Sequence, residues 1–330
     1  MKNIYFMDLQ LFADVQTTAT EGLSTEMKTF YDMTLIDEAT PNLVHDQFGQ
    51  KRAVPQGGGK VIEFRKFAAL DKALTPLTEG VTPAGKRMEV STVTAELSQY
   101  GDYITQSDVL ELTAVDNTIL EATKLLGRQA GLTLDTVVRN VLQSGTNVTY
   151  CPKVVNGAET AITSREALGP GCQLTVDVVH RVVAKLRAQN APTIRGKYVA
   201  IIHPYVVYDL MKDPAWIDAH KYADPKAIFE GEVGELGGVR FVQTTEAKIY
   251  EGGIFATLFL GDGAYGVSEI SGGGLQTIVK QKGSAGSADP LDQRSSVGWK
   301  AMKTAEILIP AYMVRVESYS DRFSSTVQEN

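Results

Sequence analysis

The sequence predicts an α+β fold, because one long helical pattern occupies the first half of the chain while short apolar strand patterns crowd the second half between glycine-rich turns. Thirty glycines against twelve prolines fit a strand-containing protein with many turns and long loops. At 330 residues, 43% hydrophobic and 22% charged, the chain can bury a sizeable core, as one unit with appendages or as two closely joined domains.

Residues 1–50 read as an arm. The opening MKNIYFMDLQLFAD resembles a secretion signal only superficially, since Asp8 and Gln10 interrupt its apolar stretch and only Lys2 is basic. From Asp14 to Gln50 the pattern is irregular and polar, with one short amphipathic helix, STEMKTFYDMTLIDEA, that Ser24 could cap; this stretch is expected outside the core. KVIEFRKF, from Lys60 to Phe67, is rich in β-branched and aromatic residues and reads as a strand. MEVSTVTAELSQYGDYI alternates as a second strand should. Between them, Ala68 to Arg87 carries Pro76 and Pro83 and no apolar period. A connection this long without secondary structure usually serves binding. Its charged residues Asp71, Lys72, Glu79, Lys86 and Arg87 are of both signs, which suits partner selection on a polar surface, and they are the candidate contact residues.

After Asp116 comes the longest helical signal, NTILEATKLLGRQAGLTLDTVVRNVLQSG, with Ile119, Leu126, Ala130, Val137, Val138, Val141 and Leu142 on one stripe. Asp116 is the expected N-cap and Gly145 the expected stop. Gly127 and Gly131 each cost about 1 kcal/mol relative to alanine, so they are expected to admit a close neighbour or mark a bend. Val137→Asp should fail to fold, because it places a charge on the stripe. At about 1.5 Å per residue such a helix could brace a whole subunit. TVDVVHRVVAKLRAQNAP reads as a second helix stopped at Pro192, KYVAIIHP as a buried strand and YVVYDLMKDPAW as a short helix. GGVRFVQTT, GIFATLFLGDG, YGVSEI, LQTIVKQKG and AMKTAEILIPAYMVRVESYS give five further strands.

Several functions are excluded by the same residues. A net charge of -7 lacks the basic footprint of a dedicated DNA-binding protein, so nucleic acid would be enclosed and not gripped. No apolar run approaches the roughly 20 residues that cross a bilayer. Cys151 and Cys172 match no paired zinc-ligand spacing and read as buried or bystander thiols in a reducing cytoplasm. GDGAYG, from Gly261 to Gly266, matches a dinucleotide fingerprint after an apolar strand, but VSEISGGGLQTIV after it lacks the helix whose amides would hold a pyrophosphate. GVTPAGKR, from Gly80 to Arg87, spaces glycine and lysine like a phosphate loop, yet Arg87 stands where the magnesium-binding Ser or Thr belongs. His45, His180, His203 and His220 form no metal pair and no nucleophile partner, with His203 expected to hydrogen-bond locally at a strand end. No catalytic residue, cofactor or metal ligand is assigned. A nucleotide-dependent enzyme built on the two glycine motifs is the enzymatic alternative.

Three blocks in order, GRQAGLTLDTVVRNVLQSGTNVTY, IIHPYVVYDLMKDPAW and EGEVGELGGVRFVQTTEA, resemble the phage-N-four-type family of major capsid proteins, and MDLQLFAD resembles capsid arms of phages of Gram-positive hosts. The resemblance is collinear from about Leu9 to the last strand. It implies the Hong Kong 97-like capsid fold, divided here as N-terminal arm (1–50), extended hairpin loop with flanking strands (51–105), peripheral domain with a spine helix (106–174), axial domain (175–295) and return strand to the peripheral domain (296–330). It further implies a subunit that assembles with itself into pentamers and hexamers of an icosahedral head, in the host cytoplasm, enclosing double-stranded DNA without sequence-specific binding. Portal, scaffold or decoration proteins are the expected further partners, and the charged residues of 68–87 would then act between subunits. An encapsulin-like nanocompartment shell, enclosing protein cargo, is the alternative within the same shell type.

Overall fold

The computed structural model describes residues 25–330 apart from 56, 58, 68, 69, 71, 78, 81, 83, 84, 114–116, 156, 222–233, 271, 272 and 285–288. Ser24, Asp71 and Asp116 therefore lie outside the described residues, as does the opening segment. Helix α1 (Thr25–Ala39) leads to strands β1 (Gln50–Val54), β2 (Val61–Phe67), β3 (Val90–Glu96) and β4 (Ser98–Ser107). Short helix α2 (Asp108–Thr113) precedes the long helix α3 (Thr118–Gln143), followed by β5 (Val148–Tyr150), β6 (Lys153–Val155) and β7 (Ala158–Thr160). Then come α4 (Val176–Ala188), β8 (Tyr198–Ile202), α5 (Pro204–Met211), α6 (Pro214–Lys221), β9 (Glu235–Leu236), β10 (Val239–Gln243) and β11 (Ile249–Tyr250). The chain ends with β12 (Ile254–Leu260), β13 (Tyr265–Ile270), β14 (Gln276–Lys280), β15 (Arg294–Ile307) and β16 (Met313–Tyr319). Among the described residues no helix is long and apolar enough to cross a membrane.

The described strands form two larger sheets and two hairpin pairs. One sheet has the order β5-β16-β12-β8-β10-β9, with β11 also on β12; the other runs β1-β13-β15-β14, with β4 also on β15. Strands β8 and β12 are buried at every position, which is why YVAII and IFATLFL read as apolar runs interrupted only by Thr257. Alternation still divides them between two cores. Tyr198, Ala200, Ile202, Phe255 and Phe259 pack with the apolar face of α4, while Val199, Ile201, Leu258 and Leu260 pack with Val138 and Leu142 of α3. Nearer its N-terminus and through its middle, α3 meets the other sheet, where Leu126, Ala130 and Leu134 pack with Val297, Trp299 and Ala301 of β15. One helix thus braces both sheets.

Five sequence expectations need correction. The cap of α3 is Asn117, one residue later than expected, its Oδ1 accepting from Leu120 N at 3.2 Å. Leu126, Ala130, Val138 and Leu142 of the stripe are buried, but Val137 is only half-buried and stands at its margin. MEVSTVTAELSQYGDYI is two strands: the chain changes partner at Leu97, whose N–H donates to Lys60 O at 2.8 Å, so that β3 pairs with β2 and β4 with β15. The last predicted strand is also two, β15 and β16, parted by a 3-10 turn at Pro310–Tyr312 where Pro310 offers no N–H to a ladder. Residues 14–50 are not all outside the core either: Leu35 and Ala39 of α1 are buried against α3, and Val44 and His45 are buried as well.

Candidate assembly surfaces

The β2–β3 hairpin projects from the subunit on a small apolar root. The strands pair antiparallel from Val61↔Glu96 to Phe67↔Val90, and their alternation turns Ile62, Phe64 and Ala95 inward against Val54 and Leu97. Phe64 lies on the one position of β13 that has no side chain: a Cβ at Gly266 would stand 2.6 Å from its ring. Beyond the root the character changes. Leu70, Leu74, Leu77 and Met88 are 60%, 82%, 78% and 70% exposed. Of the charged residues singled out by sequence, Lys72, Glu79, Lys86 and Arg87 are exposed along the same connection. The leucines carry more of the incentive to associate, since burying one such side chain is worth about 1.5–3 kcal/mol. Sequence reasoning passed over them, although the spacing of Leu70, Leu74 and Leu77 beside Pro76 was a readable sign of apolar residues with no helix to bury them.

Two further apolar faces stand open. On α1, Phe30, Met33 and Ile36 point away from α3 while Tyr31, Leu35 and Ala39 are buried. On α2 no residue is buried, and Val109, Leu110 and Leu112 are exposed. Monomeric proteins seldom leave several such patches in water.

These faces sit on rigid mounts. A Cβ at Gly127 would lie 2.8 Å from Leu35 O and one at Gly131 2.5 Å from Ala39 O, so both glycines serve close approach of α1 to α3, as their cost in a helix suggested. Beyond α1, the His45 N–H and ring Nδ1 each lie 2.7 Å from the carboxylate of Asp135 on α3, and the Tyr265 hydroxyl donates to His45 O. At the other end of α3, Arg315 donates to the carbonyls of Gln143 and Gly145, placing a cation at the negative end of the helix dipole. Its Nε also donates to Glu317 at 2.9 Å. Glu317, fully buried, accepts a fork of two bonds from Arg165, at 2.7 and 2.6 Å. That bond raises the Arg165 pKa above the ordinary guanidinium value. The Arg165 guanidinium also lies 3.5 Å from the centroid of Tyr250, whose hydroxyl meets Gln143 Oε1 at 3.1 Å. Burial pulls Arg139 below the ordinary guanidinium value, with Glu246 acting in opposition.

The residues that raised enzymatic readings have structural roles. Gly263 takes φ +68 in the turn after β12, and the strand β13 follows it, hydrogen-bonded to β1 and β15. GVTPAGKR likewise leads into β3. His203 Nδ1 accepts from Tyr205 N at 3.1 Å and caps α5; burial lowers its pKa to about 4. His180 is exposed on α4 beside Gly237. Cys151 and Cys172 are buried in one core, and burial pushes the Cys151 thiol well above its ordinary value, which suppresses thiolate chemistry.

Comparison with known proteins follows the same line. No curated protein sequence matches the chain. The capsid of Ralstonia phage GP4 superposes with a TM-score of 0.64 at 14% identity, over 98% of this chain and 99% of that one. The head structure of Helicobacter pylori bacteriophage KHP40 gives 0.64 at 12% identity, over 97% and 100%, and the capsid of cyanophage Pam1 gives 0.64 at 12%, over 92% and 100%. A family model described as phage capsid protein matches residues 89–316, which favours a phage head over a nanocompartment shell. The chain belongs to the phage capsid protein family, as a major capsid protein of Hong Kong 97-like fold.

Proposed function

We propose that the chain builds the icosahedral head of a tailed phage by assembling with itself into pentamers and hexamers around double-stranded DNA. Residues 1–50 serve as the arm, 51–105 as the extended hairpin with its flanking strands, 106–174 as the peripheral domain with α3 as its spine, 175–295 as the axial domain and 296–330 as the return strand. The observation that carries this reading is the hairpin connection, where Leu70, Leu74, Leu77 and Met88 stand in water on a rooted projection of a capsid-family protein. They meet apolar surface on a neighbouring subunit, while Lys72, Glu79, Lys86 and Arg87, with Asp71, select which surface that is. Each further contact made by an already attached subunit is effectively intramolecular, so modest interfaces close a stable shell. The net charge of -7 keeps the inner wall from trapping packaged DNA. Head assembly takes place in the host cytoplasm, with portal, scaffold or decoration proteins as further partners.

Replacing residues 68–87 with a short Gly-Ser turn tests the hairpin. Folding rests on the root and on the two sheets, so circular dichroism and the thermal transition of the subunit should persist while shells vanish from electron micrographs. Shells in unchanged yield would refute the bridging role.

A further inference from the structure

An open cavity of about 600 Å³ lies between the approach to β1 and the β8–β10–β9 edge of its sheet, with Arg195, Lys197, Glu235, Arg240 and Asp262 as its charged lining. Lys197 pairs with Glu235. That leaves Arg195 and Arg240 facing one carboxylate, Asp262, and neither guanidinium makes a hydrogen bond or ion pair among the described residues. Both are held on paired backbone. Arg240 stands on β10 between Val199 of β8 and Glu235 of β9. Arg195 is the first central residue of a two-residue turn closed by Ile194 N to Lys197 O at 2.8 Å and Lys197 N to Ile194 O at 3.2 Å. Its φ is +52 and that of Gly196 is +87, a turn in which asparagine is the favoured first residue. The arginine thus stands where the backbone prefers another side chain.

We propose that this cavity is a carboxylate-binding site that receives an acidic side chain of a second copy of this chain, with Arg195 and Arg240 as the donors. The inference rests on the shell-building reading above. A planar guanidinium fork matches a carboxylate in two parallel bonds. One unbalanced positive charge matches one carboxylate. A nucleic acid backbone, with a charge for about every 1.7 Å of duplex, would also bring phosphates against Glu235 and Asp262. The chain itself supplies ample partners, with 39 acidic residues against 32 basic ones.

The test uses the full chain. In the double variant Arg195→Asn, Arg240→Gln the turn is kept and the charges are removed. Shell yield at a fixed subunit concentration should fall about tenfold or more while the thermal transition of the unassembled subunit does not drop. Arg240→Lys then places an ammonium at the site for carbodiimide coupling in shells assembled from a mixture of ordinary and nitrogen-15-labelled subunits. Peptides joining position 240 to an acidic residue should carry mixed isotopes. Cross-links of a single isotope pattern would place the acid within the same chain and overturn the proposal. So would undiminished shell yield in the double variant, or site protection by added duplex DNA without any inter-chain link. A wild-type chain that forms no shell would instead overturn the capsid assembly reading, and the occupant of the cavity with it.

Discussion

The His203 imidazole accepts the Tyr205 N–H through Nδ1 and lies between the rings of Tyr205 and Phe255, at centroid distances of 4.9 and 5.0 Å, so it is held neutral. Burial lowers its pKa to about 4, against an ordinary value near 6.5. Between those pH values the unfolded chain binds the proton that the folded chain refuses. Stability is therefore full above about pH 6.5 and falls as pH drops towards 4, by on the order of 2–3 kcal/mol in all. Asp209 works in the opposite sense, since burial holds its carboxyl above the ordinary value and acid relieves that cost. Comparison with His203→Asn isolates the histidine, because asparagine can still cap α5 and does not titrate. Urea unfolding of the variant at pH 7 and pH 4.5 should show a smaller difference than the wild type. Equal differences would mean that the ring titrates normally. Fully buried Glu317 shows a different arrangement, a carboxylate hydrogen-bonded by two arginines, Arg165 and Arg315. The local hydrogen bond of His203 at a strand end was legible in the sequence; the Glu317 arrangement was not, because Arg165 and Glu317 stand far apart along the chain.

At the scale of elements, α3, α4, β8 and β12 were legible because period and length agreed in each. The burial of α1 was not: the helix is less amphipathic than its segment suggests, since Phe30, Tyr31, Met33, Leu35, Ile36 and Ala39 lie around much of it and mark no single face. Nor was the change of sheet at Leu97, where Glu96-Leu97-Ser98 contains no glycine or proline to announce it. Of the candidate contact site, the sequence singled out the segment and its charges, but not its exposed leucines. The glycines of α3 were read correctly as a sign of something close. Gly131→Ala ought to gain about 1 kcal/mol from helix propensity. Instead a net loss of roughly 1–3 kcal/mol is expected, because the new Cβ would stand 2.5 Å from the Ala39 carbonyl and α1 must shift. Denaturant midpoints measure this directly, and a stabilised variant would show that α1 is free to move. On the same helix, Val138→Asp should yield insoluble chain, whereas Val137→Asp, at a half-buried position, should lose stability without abolishing folding. Soluble expression and thermal melts of the pair would reveal a misplaced core face if the order were reversed.

The whole molecule has a buried frame and an unfinished surface. β15 carries β4, β13 and β14 along its length, and α3 ties this sheet to the one built on β12 and β8. Such pairings join distant parts of the chain, and strand patterns alone do not say which strands meet. Outside the frame, the open apolar groups are separate: the hairpin loop, the outer face of α1 and the short helix α2. Contacts spread in this way bind a single neighbour weakly but hold a subunit that touches several neighbours at once. Association should therefore set in abruptly above a threshold concentration, with free subunits or single rings below it and shells above. The two kinds of contact respond to salt in opposite ways. Sodium chloride at high concentration screens exposed charges to within about 3 Å, while sulfate strengthens apolar burial by its exclusion from protein surface. If Leu70, Leu74, Leu77 and Met88 supply most of the driving force, sulfate should lower the threshold in light scattering, whereas chloride should raise it only modestly. A threshold that rises steeply in chloride and does not fall in sulfate would assign the driving force to the charges instead. A chain that scattered as a monomer at every concentration and in both salts would contradict the shell-building function itself.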